Sequence, residues 1–121
     1  MSVVIAAARP ATRSALLALV EREPALLSLG TASDLGHTVR ILRASAPDVV
    51  VLDTSVLGPV DRLRALASAP GGAAFIVIGM SDHPGFAERV RAAGGAGYVR
   101  LDQASERLAV AAVAAASPDA S

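Results

Sequence analysis

Five short apolar runs, separated by segments with the residue spacing of amphipathic helices, constrain the fold of this chain more than any other feature. The runs lie at 3–7, 25–30, 48–53, 73–80 and 96–100. Each has the length of a β-strand, and "DVVVLD" at 48–53 is apolar on both faces, as in a central strand of a parallel sheet. Because strands and helices alternate strictly, we predict a three-layer α/β/α sandwich around a five-stranded parallel sheet.

Five helices are predicted in the intervening segments and after the last strand. Proline suits the first turn of a helix, and short polar side chains cap helix starts because they accept hydrogen bonds from unpaired backbone N–H groups. On these grounds the helices begin at Pro10, at Ser33 or Asp34, near residue 60, at Pro84 after an Asp82 or His83 cap, and at Ser105.

The composition supports one core and excludes several kinds of site. The 121 residues are 53% hydrophobic but only 2% aromatic, so aliphatic side chains must fill the core. The formal net charge is zero, whereas nucleic-acid-binding domains usually carry a basic excess. The chain has no cysteine, which excludes disulfides and thiolate metal ligands.

The chain is expected to form a single cytoplasmic domain with no membrane contact. No apolar run reaches the roughly 18 residues needed to span a bilayer, and the start "MSVVIAAARP" lacks the features of a signal peptide. We expect the domain to span 1–116, followed by a polar tail at 117–121 whose composition suits the start of a linker.

In open parallel sheets, functional groups lie at the C-terminal ends of the strands. The carboxylate there is Asp53, which ends the third strand. The other predicted strand ends carry Ala7, Ala8 and Arg9, then Gly79, Met80 and Ser81, then Arg100 and Leu101. This edge of the sheet is therefore the candidate site, and Asp53 is its central residue.

Four stretches of the chain resemble the receiver domain of bacterial response regulators. They are "VVIAAARP", "EREPALLSLGTASD", "APDVVVLDTSVLG" and "RAAGGAGYVRLD", the last of which is similar to the family pattern "RAGAxGYLLKD". The resemblance extends from residue 3 to about 116 and is nearest to the NarL/FixJ branch, whose members carry a C-terminal helix-turn-helix. It implies a flavodoxin-like receiver fold with strand order 2-1-3-4-5.

The resemblance also implies four elements of a phosphorylation site, of which this chain keeps one. The phosphoacceptor position is Asp53, whereas the acidic pair that binds Mg²⁺ falls on Ala7 and Ala8. The Ser/Thr position falls on Gly79 and the Lys position on Leu101, and the chain contains no lysine at all. We therefore predict an atypical receiver with no metal, no cofactor and no catalytic residue, in which Asp53 is vestigial.

These losses predict a regulatory module that phosphorylation does not switch. Phosphoryl transfer to a carboxylate needs its developing charge balanced by a metal and fixed donors, and loss of one such donor typically costs on the order of 10²–10³ in rate. Two interpretations of Asp53 remain open. It bonds nearby backbone N–H groups, or it pairs with Arg9, which follows the two alanines.

The last helix is predicted to carry a partner surface. Arg107, Val110, Val113 and Ala114 would face away from the sheet, and small apolar residues outside the core suggest contact with another protein. The alternative is an Ala-rich surface without a partner, because scattered exposed apolar residues are normal. The receiver resemblance implies a homodimer and a transcription-regulating output, with DNA contacted only by a C-terminal domain that lies outside this sequence.

Two other functions remain open. Replacement of larger polar residues by Ala7, Ala8, Gly79 and Leu101 would leave a mostly apolar pocket, rimmed by Asp53, Arg9 and Ser81, that suits a small-molecule ligand. The same neighbours would equally well collapse into that space. The third function is that of a conventional phosphoacceptor receiver, which the missing residues disfavour.

Overall fold

The predicted five-stranded parallel sheet is present. The computed structural model describes residues 1–69 and 71–116, so the predicted tail at 117–121 lies outside the described residues. The strands are β1 (Ser2–Ala6), β2 (Leu27–Ala32), β3 (Val49–Asp53), β4 (Ala74–Gly79) and β5 (Gly97–Arg100). All neighbouring strands pair in parallel, in the order β2-β1-β3-β4-β5, which confirms the predicted fold class and strand order.

Helices cover both faces of this sheet, and one of them was not predicted. They are α1 (Pro10–Glu21), α2 (Leu35–Ser45), α3 (Thr54–Leu57), α4 (Arg62–Ala67), α5 (Pro84–Ala92) and α6 (Ala104–Ala115), with a 3₁₀ turn at Leu101–Gln103. The unpredicted helix is α3, which is one turn long and therefore too short to show helical periodicity. Within the described residues, no helix has the length and apolar composition that crossing a bilayer requires.

The helix starts confirm most of the predicted caps. The Asp34 carboxylate accepts a 2.7 Å hydrogen bond from the His37 N–H, and His83 caps α5 just before Pro84. The predicted Ser105 cap is wrong. Because the 3₁₀ turn runs directly into α6, the helix begins one residue earlier, and Ser105 lies exposed in its first turn.

Two apolar clusters form the core, one on each face of the sheet. Alternation along β3 sends Val49 and Val51 to one face and Val50 and Leu52 to the other. The first cluster includes buried residues of α1 and α6, such as Leu16 and Leu108, and the second includes residues of α3 and α4. Burial on both faces explains the continuous apolar run that precedes Asp53.

Candidate functional site

The C-terminal ends of the central strands meet at one edge of the sheet, as predicted. Strand register places Ala6 beside Leu52 and Asp53 beside Ile78. Gly79 in turn lies beside Arg100. The four elements that the resemblance assigns to a phosphorylation site therefore converge on this edge, although three of these elements consist of residues without ionisable or hydroxyl groups.

Asp53 is held by its own chain. Asp53 is only 8% exposed. Its carboxylate caps α3 by accepting a 3.1 Å hydrogen bond from the Ser55 N–H. The Ser55 hydroxyl donates a second, short hydrogen bond to the same carboxylate oxygen, Oδ2. Of the two interpretations of Asp53, the structure therefore contains the bond to a nearby backbone N–H, with a hydroxyl added to it.

Ser55 also ties this carboxylate to β1. Its Oγ accepts a 3.1 Å hydrogen bond from the backbone N–H of Ala8, which is 47 residues away in sequence. One hydroxyl thus joins the ends of two neighbouring strands. Sequence reasoning missed Ser55, although an aspartate followed two residues later by a serine is a pattern that favours local side-chain bonds at a helix start.

The arginine that approaches this site is Arg13 and not Arg9. Arg9 is exposed and makes no ion pair with Asp53, since the ion pair within the described residues joins Arg100 and Asp102 at 2.7 Å. Arg13, one turn into α1, donates hydrogen bonds from Nη1 to the Ala7 carbonyl at 2.9 Å and the Ala8 carbonyl at 3.3 Å. A cation is therefore bound to the backbone at the two positions where the family carries acids.

Gly79 leaves room for a tyrosine ring. A β-carbon at this position would lie 3.0 Å from Thr54 Cγ2 and 3.1 Å from Tyr98 Oη, which is closer than ordinary van der Waals contact. The Tyr98 hydroxyl donates a 2.9 Å hydrogen bond to the Ser81 carbonyl, and its ring packs against Phe86 at 4.6 Å between centroids. Burial raises the pKa of the Tyr98 hydroxyl, partly offset by the bond to Ser81.

Leu101 is a packing residue at the end of β5. It begins the 3₁₀ turn, is half-buried, and packs against the apolar cluster that α1 and α6 cover. The neighbouring guanidinium of Arg100 bonds both carboxylate oxygens of Asp102, at 3.1 and 2.7 Å. Within the described residues, β5 therefore places no positively charged side chain on Asp53. Residues 1–69 and 71–116 also contain no cluster of side chains that could hold a metal ion.

No family model and no curated protein matches this chain, whereas many solved structures are similar to it. A two-component response regulator of the LuxR family from an Aurantimonas species is 28% identical, with a TM-score of 0.84 over 98% of this chain and 91% of that chain. The receiver domain of NarL from Mycobacterium tuberculosis is 21% identical, with a TM-score of 0.84 over 95% of this chain and 94% of that one.

This chain has the fold of a response-regulator receiver domain. RcsB from Salmonella typhimurium is also similar, at 20% identity and a TM-score of 0.86, over 94% of this chain and 58% of the RcsB chain. Two of the similar structures are described as LuxR-family regulators and one as NarL, in agreement with the branch that the sequence motifs resemble.

Two surface cavities of this chain lie away from Asp53. One, of about 510 Å³, lies between α2 and α4 and is lined by residues such as Leu42, Leu66 and Phe75, near the N-terminal ends of the strands. The other, of about 470 Å³, runs between β5 and α6. Around Gly79, the space that the sequence suggested for a ligand contains Tyr98 and Thr54.

The predicted partner surface on α6 is mostly exposed. Arg107 and Ala114 are exposed, Val110 is 71% exposed, and all three line the cavity beside β5. Val113 differs from the prediction, because it is half-buried and packs onto the core cluster between α1 and α6. The exposed face of α6 is therefore narrower than the sequence suggested.

Ser55→Ala is expected to lower the free energy of unfolding of this chain by about 2 kcal/mol, because it removes a hydrogen bond to a largely buried carboxyl group. Urea denaturation measures the change. Ser33→Ala is the matched control, since Ser33 is exposed and makes no hydrogen bond within the described residues. A double-mutant cycle with Asp53→Asn should show coupling, and additive effects would contradict the link.

Proposed function

We propose that this receiver domain is a regulatory module that works without phosphorylation, through homodimerisation or other protein contact, and controls a transcription-regulating output. The observation that carries the proposal is the state of Asp53. Its Oδ2 atom accepts two hydrogen bonds from Ser55, while the positions of the acidic pair hold Ala7 and Ala8. The acceptor carboxylate serves as a structural cap.

The chemistry of phosphoryl transfer supports this proposal. Mg²⁺ needs near-octahedral oxygen ligands and is usually held by one or two carboxylates together with phosphate oxygens. Asp53 is the only carboxylate at the family's site positions, and Arg13 places a positive charge on the Ala7 and Ala8 carbonyls. The guanidinium of Arg13 at these carbonyls repels a Mg²⁺ ion that would enter the same place.

The exposed face of α6 supports a role in protein contact. Val110 is an aliphatic side chain that is 71% exposed, and it lies beside the groove between β5 and α6. Among the similar structures, RcsB is described bound to a promoter, which favours a transcriptional output through a separate DNA-binding domain. The chain itself carries no net charge, so we assign the DNA contact to that separate domain.

Exposure to acetyl phosphate and Mg²⁺ is expected to leave the mass of the protein unchanged. Intact-mass spectrometry measures the result, and a conventional receiver domain serves as the positive control. A phosphoryl adduct that disappears in the Asp53→Asn variant would refute phosphorylation independence. The sedimentation coefficient should likewise be the same with and without the phosphodonor.

Val110→Glu is expected to weaken self-association at least tenfold, because it places a charge in an apolar contact. Sedimentation equilibrium measures the dissociation constant. Met80→Glu is the matched control, since Met80 is also 71% exposed but lies at the end of β4, outside the α6 face. A wild-type protein that stays monomeric at every concentration would contradict the homodimer, and equal effects of the two substitutions would contradict the α6 surface.

A further inference from the structure

We propose that His83, which caps α5, makes the loop before this helix sensitive to protons and couples it to Tyr98. This inference goes beyond the proposed function, because it concerns an input that acts without a phosphodonor. It rests on two sets of contacts around His83. The imidazole caps the first turn of α5 at Gly85, next to Phe86, which packs on Tyr98. The His83 backbone N–H bonds Ser81, whose carbonyl accepts the bond from Tyr98.

The cap requires the neutral form of the imidazole. His83 Nδ1 accepts a 3.1 Å hydrogen bond from the Gly85 N–H, so this nitrogen carries no proton and the ring proton lies on Nε2. Protonation of Nδ1 would abolish the acceptor and place a positive charge at the positive end of the α5 dipole. The cap is therefore present only while the imidazole is neutral.

Ser81 connects this cap to Tyr98. The His83 N–H donates a 3.2 Å hydrogen bond to Ser81 Oγ, and the Ser81 carbonyl accepts the 2.9 Å bond from the Tyr98 hydroxyl. The first turn of α5 holds the same ring from a second side, because Phe86 packs edge-on against it and its N–H donates to the His83 carbonyl at 3.0 Å. Release of the cap loosens both supports of Tyr98.

The charged groups around this loop are few. Asp82 precedes His83 and is exposed, and Arg89 of α5 lies with its guanidinium 5.9 Å from the Phe86 ring centroid. From the strand ends, Asp53, Arg100 and Asp102 act on Tyr98 electrostatically. In the described part of the chain, none of these groups makes an ion pair with the imidazole within 4 Å, so the hydrogen bond to Gly85 is its main fixed interaction.

The chain is well suited to a direct test, because Tyr98 is its only tyrosine and it has no tryptophan. Tyrosine fluorescence therefore reports on this one ring. Between about pH 8 and pH 5, the range in which histidine side chains generally change charge, we expect the wild-type 121-residue chain to show one fluorescence transition. The Gly85 amide resonance in ¹H–¹⁵N spectra should shift with the same midpoint.

Three variants identify the residue responsible. His83→Asn keeps a side-chain acceptor that does not titrate, so its fluorescence should not change over this range. His37→Asn, which replaces the other histidine of the chain, should titrate like the wild type. His83→Ala should have the fluorescence of the acid form at pH 8 and a melting temperature lower by about 3 °C, the loss expected for a helix cap.

The outcomes separate cleanly. A wild-type transition that His83→Asn removes and His37→Asn retains supports the proposal. Constant wild-type fluorescence, or a transition that survives in His83→Asn, overturns it. Because His83→Asn supplies a cap at every pH, the test does not depend on whether His83→Ala folds. The fluorescence titration contains no phosphodonor, so its result is independent of whether Asp53 can be phosphorylated.

Discussion

Ala7→Asp is expected to lower the free energy of unfolding by about 3 kcal/mol, because it places a carboxylate in a position without solvent access. Ala7 has 0% relative exposure at the end of β1, and its N–H is bonded to the Ala32 carbonyl at 3.0 Å. The substitution restores an acid that the family carries, but the described residues contain no cluster of side chains that could hold a neutralising metal ion beside it. Urea denaturation at neutral pH, with and without Mg²⁺, measures the loss.

Ala8→Asp is the matched control for this prediction. Ala8 is the next residue and carries the second position of the same acidic pair, but it is exposed. Its substitution should change stability by no more than about 0.5 kcal/mol, as is usual for surface positions. Equal losses at both positions would contradict the burial argument. Full recovery of the Ala7→Asp variant by Mg²⁺ would show that an acid at this position still binds the metal and would count against phosphorylation independence.

Gly79→Ala is expected to destabilise the receiver domain by about 2 kcal/mol through overpacking. The added β-carbon would lie 3.0 Å from Thr54 Cγ2 and 3.1 Å from Tyr98 Oη, and the Thr54 contact comes from a residue at the start of α3. The simplest relief is displacement of the Tyr98 ring, which breaks its bond to Ser81. Thermal unfolding and Tyr98 fluorescence should therefore change together.

Gly36→Ala is the control for the general effect of replacing glycine. A β-carbon at Gly36 would meet its nearest neighbour, Asp34 Oδ1, at 3.5 Å, which is ordinary contact. In the first turn of α2 this substitution should raise stability by roughly 0.5 kcal/mol, since alanine favours helix more than glycine does. If Gly79→Ala were also neutral or stabilising, the space at the end of β4 would be open, and the interpretation of a small-molecule pocket there would gain support.

The fold and the position of the candidate site were predictable from the sequence. Strand runs such as 48–53 and the start of α5 at Pro84 are local patterns, and the wrong cap at Ser105 arose because a 3₁₀ turn moved the helix start by one residue. The short α3 was missed because a single turn has no periodicity to read. The sequence offered a bond from Asp53 to a nearby backbone N–H as one of two interpretations, but it did not identify Ser55 or the helix that Asp53 caps.

The sequence by itself determined the parallel sheet, its order through the family resemblance, and the placement of Asp53 at a strand end where Ala7, Ala8, Gly79 and Leu101 differ from the residue types of the family. Only the tertiary structure decided what holds Asp53. Ser55 joins it to Ala8 across 47 residues of sequence, and Arg13 occupies the place beside β1 that proximity in sequence had suggested for Arg9. The physical reason is that strand and helix patterns arise from neighbouring residues, whereas hydrogen-bond partners at a sheet edge depend on how separate strand ends pack in space.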